Sequence, residues 1–135
     1  MYRKMKTAER KPTKQFSWRE RATSFRYAWQ GIRALFQTEH NARIHAVLTV
    51  VVFTLAALLH ISKTEFILLL LSMALVWTME IINTAIEKAM DFISTEKHPQ
   101  IGLVKDLAAA AVLVSAVAAF VTGTIIFLPK LILYV

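Results

Sequence analysis

The sequence predicts an all-α membrane protein, with an amphipathic helix on the membrane surface followed by three transmembrane helices. Three observations lead there. Hydrophobic residues make up 56% of the 135-residue chain and mean hydropathy is +0.50, above the ~45–50% apolar share of a soluble domain. The apolar runs are long and broken by few turns. The charge is also lopsided: ten of the sixteen Lys and Arg precede Asn41, opposed there only by Glu9, Glu20 and Glu39. That asymmetry fits the positive-inside rule and orients the amino terminus to the cytoplasm. It also argues against nucleic acid as the partner that a net charge of +7 could suggest. The absence of cysteine excludes disulfides, thiolate metal sites and cysteine nucleophiles together. No apolar core with a small-residue cleavage site occurs in the first forty residues, so no signal peptide is expected.

Residues 1–15 read as a polar, basic tail near anionic headgroups, and 16–135 as a single membrane domain. Ser17-Trp-Arg-Glu20 has capping-box spacing. From it, Trp18, Ala22, Phe25, Trp29, Ile32 and Phe36 recur at helical spacing while Arg19, Arg21, Arg26 and Arg33 take other faces. A surface helix over 17–37 follows, lying at the headgroups. The competing reading is a core helix of a soluble bundle; a DNA-binding arm would leave the aromatic stripe in water. Thr38 to His45 is a polar corner where the chain turns into the bilayer. Glu39 there, taken alone, reads as a solvated loop carboxylate rather than a site residue, and His40 and His45 lack the company of a zinc site.

The first span is expected over 44–61, with His45 and His60 near the two interfaces. The short link Ser62-Lys-Thr-Glu65 returns the chain antiparallel. The second span is expected over 65–93. Its first half, Phe66 to Met79, is uncharged and too short to cross alone, so its polar second half must enter the membrane facing protein or water. Ser94 to Gly102 reads as a turn with Pro99 and Gly102 as breakers. The third span is expected over 103–128, of which Leu107 to Leu128 carries no formal charge, ending at Pro129-Lys130. Its small residues, from Ala108 to Ala111 and on to Gly123, suit close helix packing.

The second half of the second span holds the chemistry. Glu80, Asn83, Thr84, Glu87 and Asp91 fall on one helical face, with Ile81, Ile82, Ile86 and Met90 off it. Carboxylates so close repel unless a cation, a proton or basic groups offset them. Ionisable groups at membrane depth point to function, although a solvated face of a soluble helix would show the same stripe. The hairpin into the third span brings Lys105 and Asp106 to the level of Glu87 and Asp91, and Glu39 reaches that level from the corner. Oxygen-only donors favour a hard cation such as Mg²⁺, which uses one or two carboxylates together with substrate phosphates, and a nearby lysine suits phosphate. Neither glycine-rich nucleotide loop, GxxxxGK[ST] or GxGxxG, is present. On the residues alone, phosphoryl transfer, a small proton- or cation-coupled transporter or channel subunit, and a noncatalytic assembly subunit all stay open.

Glu80-Ile-Ile-Asn83-Thr-Ala-Ile-Glu87, followed by Asp91, His98, Gly102, Lys105-Asp106 and an alanine-rich last span, resembles the signature of the prokaryotic diacylglycerol kinase family. These are small integral-membrane lipid kinases unrelated to soluble kinases. The resemblance extends upstream to Tyr27-Ala-Trp29-Gln-Gly31-Ile-Arg33 and Glu39, and covers about Tyr27 to Val121. It implies a homotrimer in the bacterial inner membrane with sites shared between subunits, and ATP and Mg²⁺ bound on the cytoplasmic side. Glu80 would be the general base on the lipid hydroxyl, with Glu39 and Glu87 as metal ligands through the nucleotide phosphates. Asn83 would position, and Lys105 would contact the transferring phosphate. Tyr27, Asp91 and Asp106 would help to bind nucleotide, and Ala109 lipid. The family includes diacylglycerol and undecaprenol kinases. The stretch Glu39-His-Asn-Ala-Arg43-Ile-His45 and the run Ala108 to Val112 resemble the undecaprenol members. Ile44, His45, Leu103 and Ala109 depart from the diacylglycerol type, so undecaprenol is slightly preferred.

Overall fold

The computed structural model describes residues 17–94, 96 and 98–133. The basic tail expected over 1–15 lies outside them. Four helices follow in order: α1 (Trp18–Thr38), α2 (His40–Leu58), α3 (Lys63–Ile93) and α4 (Pro99–Leu133). The last three are long and apolar enough to cross a membrane, so this is an all-helical, multi-pass membrane protein.

Several boundaries differ from expectation for identifiable reasons. Ser17 precedes α1, but its side chain makes no cap bond. The working capping box is instead at Ser62, whose hydroxyl accepts from the Glu65 N–H while the Glu65 carboxylate accepts from the Ser62 N–H. The supposed link thus starts α3 at Lys63. α2 begins at His40, directly after a single extended residue, Glu39, at φ −104°, ψ 120°. Pro99 opens α4 instead of breaking it, as suits a residue with a fixed φ and no N–H at a first helical position. Pro129 lies inside α4, which continues past it; helices in membranes tolerate such a proline when neighbouring groups re-satisfy the backbone.

α3 is the central element. It packs along α4 over much of its length, and α2 and α1 lie against it more lightly. α3 and α4 run antiparallel, joined at one end by the Lys105–Asp91 pair at 2.8 Å and at the other by Lys130–Glu65 at 3.2 Å. Between α2 and α3, the Phe53 and Phe66 rings meet at 5.7 Å. The apolar core, Ala56, Leu69, Ile126 and Phe127, sits towards the Glu65 end. Its gain in lipid is close packing rather than removal of surface from water.

The distribution of polarity reverses that of a water-soluble bundle. On α3, Ile81 and Ile82 are each 45% exposed, whereas Glu80 is 2%, Asn83 7% and Thr84 7% exposed. A helix that turns isoleucine outward and a carboxylate inward has lipid as its solvent.

Candidate active site

The buried face of α3 is one continuous stripe: Leu69, Met73 and Val76, then Glu80, Asn83 and Thr84. Glu87, half-buried, and Asp91, exposed, extend it towards the loop. Helical periodicity alone places these side chains in line, so their depth is graded along one helix, with Glu80 deepest.

Three atoms of the stripe, Glu80 Oε2, Asn83 Oδ1 and Thr84 Oγ, are buried without a hydrogen-bond partner among the described residues. An unmade bond on a buried polar group costs about 1–3 kcal/mol. Such a cluster fits a place that a ligand completes. Asn83 turns its amide the other way, donating from Nδ2 to Glu87 Oε1 at 3.2 Å.

Glu39 comes to the stripe from the corner between α1 and α2. Its Oε1 accepts the Thr38 hydroxyl at 2.8 Å and the Lys88 ammonium, from α3, at 3.2 Å. The Thr38 bond chiefly, helped by Lys88, holds its carboxyl below the ordinary glutamate range. Lys105, at the start of α4, donates to Asp91 Oδ1 at 2.8 Å. Beside this pair, a cleft of about 480 Å³ is lined by Asp91, Ser94, Glu96, His98, Gly102 and Lys105, among others.

The structure thus gathers Glu80, Asn83, Glu87 and Glu39 and places Lys105 with Asp91 one layer nearer the loop. It leaves Tyr27, Asp106 and Ala109 exposed on the single chain. Tyr27 meets only the neighbouring Arg26 guanidinium among the described contacts, at 5.5 Å from its ring centre. No three of the described His, Asp and Glu side chains cluster closely enough to hold a metal ion by themselves. The donors are carboxylate, amide and hydroxyl oxygens, a set that fits a hard cation completed by phosphate oxygens and water.

The sequence left out Trp77 and Lys88 and pointed to His45 only through the resemblance to the undecaprenol members. Trp77 donates from Nε1 to Thr49 Oγ at 3.1 Å, packs at a tilt against Phe36 at 5.6 Å and meets His45 edge-on at 6.4 Å. Its position three residues before Glu80 was the available signal, since i and i+3 share a face.

The model of the family described as "Prokaryotic diacylglycerol kinase" matches residues 26–127, a stretch that contains every residue of this cluster. The chain belongs to the prokaryotic diacylglycerol kinase family. Among its relatives are the diacylglycerol kinase of Synechocystis sp., 38% identical over 93% of this chain and 74% of that protein, and the undecaprenol kinase of Bacillus subtilis, 38% identical over 80% and 88%. The diacylglycerol kinase of Escherichia coli is 35% identical over 74% and 82%. Membership in the diacylglycerol kinase family makes the enzyme class that of lipid kinases, and phosphoryl transfer of this kind typically uses a divalent metal.

Proposed function

We propose that this protein is an ATP- and Mg²⁺-dependent membrane lipid kinase that transfers the ATP γ-phosphate to a lipid hydroxyl. The observation that carries it is Glu80: a carboxylate 2% exposed, with one oxygen unpartnered, at the deep end of a stripe that ends at a polar, loop-side cleft holding Lys105. A lipid alcohol approaches such a group from the bilayer, and a nucleotide approaches the other end from water.

In this reading Glu80 accepts the proton of the lipid hydroxyl as its oxygen bonds to the γ-phosphorus and ADP leaves. Glu39 and Glu87 would hold Mg²⁺ through the nucleotide phosphates, and the cation would offset charge on those phosphates. Asn83 orients Glu87 through the bond at 3.2 Å. Lys105 leaves Asp91 for the transferring phosphate, while Tyr27, Asp91 and Asp106 complete the nucleotide site. Little else is needed, because phosphoryl transfer depends mainly on alignment and charge stabilisation. The apolar groove of about 440 Å³ lined by Leu48, Val52, Met73, Val76 and Phe120 continues the α3 stripe away from Glu80 and suits the lipid chain, with Ala109 near the headgroup. α1 lies at the surface as an amphipathic helix, the amino terminus is cytoplasmic, and three copies assemble in the bacterial inner membrane.

Ile44, His45, Leu103 and Ala109 favour undecaprenol slightly over diacylglycerol as the acceptor; relatives of both names are 38% identical, over 93% and 80% of this chain for the diacylglycerol and undecaprenol kinases. Reconstituted protein given labelled ATP with each lipid separately is expected to label both, undecaprenol faster. Labelling of neither lipid, or ion flux without ATP, would reject the reading.

A further inference from the structure

The corner at Glu39 poses a problem in backbone bonding. One residue separates α1 from α2, so the last carbonyls of α1 and the first N–H groups of α2 meet there with few partners of their own. A glutamate at this place is positioned to cap α2, yet its side chain makes no cap bond. Its carboxylate points instead to Thr38 and Lys88.

The carbonyls at the end of α1 do find a donor across the break. Arg43, in the first turn of α2, reaches back across the break: Nε donates to the Phe36 carbonyl and Nη2 to the Gln37 carbonyl, both at 2.9 Å. Two parallel donors from one planar guanidinium fix the relative placement of the two helices in a way a single ammonium cannot. The Phe36 ring, on the same clamped turn, packs at a tilt against Trp77 of α3. The corner is therefore tied to α2 by Arg43 and to the catalytic stripe by Phe36.

We propose that Arg43 is a positioning residue for Glu39. By bonding the last carbonyls of α1 from the first turn of α2, it fixes the corner and so holds Glu39 where its carboxylate serves the magnesium nucleotide. The inference rests on the reading of Glu39 given above.

The test uses the full-length protein in detergent, with binding of the magnesium complex of a nonhydrolysable ATP analogue measured by calorimetry, and helix content and melting temperature recorded alongside. Arg43→Gln is expected to weaken analogue binding about tenfold, the scale of losing one well-formed hydrogen bond to a buried or charged group, and to leave the KM for lipid unchanged. Arg43→Lys should recover part of the loss. Arg43→Gln combined with Glu39→Gln should bind no more weakly than Glu39→Gln alone, because both changes remove the same contact. A lowered melting temperature with unchanged analogue affinity in Arg43→Gln would overturn the proposal, as would losses that multiply in the double variant. Unchanged affinity in Glu39→Gln would overturn the assignment of Glu39 first and this one with it, whereas Glu39-dependent binding untouched by Arg43→Gln would defeat Arg43 alone.

Discussion

Two side chains beside Glu80 carry separate, measurable parts of the account. Asn83 holds Glu87 through a single hydrogen bond from its amide, so Asn83→Leu is expected to reduce transfer about 10–100-fold, as loss of a group that orients a ligand carboxylate does; steady-state rates in mixed micelles check it. The Glu39 carboxyl is held below the ordinary value by the Thr38 hydroxyl and Lys88. A depressed folded pKa gives stability that is fully present above the unfolded value of about 4.3 and is lost as pH falls through the folded one. The difference in melting temperature between the protein and Thr38→Val should therefore be constant near neutrality and shrink in acid, and a difference growing in acid would contradict the assignment. The acidic stripe was readable from the sequence because 3.6-residue periodicity needs no knowledge of the fold. Arg43, Trp77 and Lys88 were not, because their partners depend on how separate helices meet: Trp77 reaches Thr49 and Lys88 reaches Glu39 across the bundle.

Each helix owes its ends to different chemistry, and the sequence showed these less well. Ser17 and Ser62 each precede a glutamate at capping-box spacing, yet only Ser62 closes the box. Spacing gives the opportunity, and local backbone geometry decides. Pro99 begins a helix, where the missing N–H is dispensable, and Pro129 sits within one, as a membrane helix tolerates when neighbouring groups re-satisfy the backbone. Ser62→Ala should destabilise the protein by about 0.5–2 kcal/mol, read as a lower melting temperature, with KM for lipid and ATP unchanged because the box lies at the Glu65–Lys130 end. A change in KM would mean that the two ends of α3 are coupled.

Taken whole, the molecule turns long apolar helix surfaces outward and buries a short polar stripe, Glu80, Asn83 and Thr84, and that arrangement explains how a chain of 135 residues supports a kinase without a glycine-rich loop: the membrane excludes water, and one long helix aligns the oxygens. Its composition and charge asymmetry made the membrane class legible. The exposed state of Tyr27, Asp106 and Ala109 on a single chain is what a site shared between copies would show, and sedimentation in detergent is expected to give the mass of three. The most direct test of the whole is phosphate transfer from labelled ATP to undecaprenol and diacylglycerol by Glu80→Gln, with assembly and helix content verified in the same sample. The account predicts a fall of about 10²–10⁴-fold, the usual contribution of a positioned general base, in a variant that assembles normally. Transfer at the unaltered rate would contradict it.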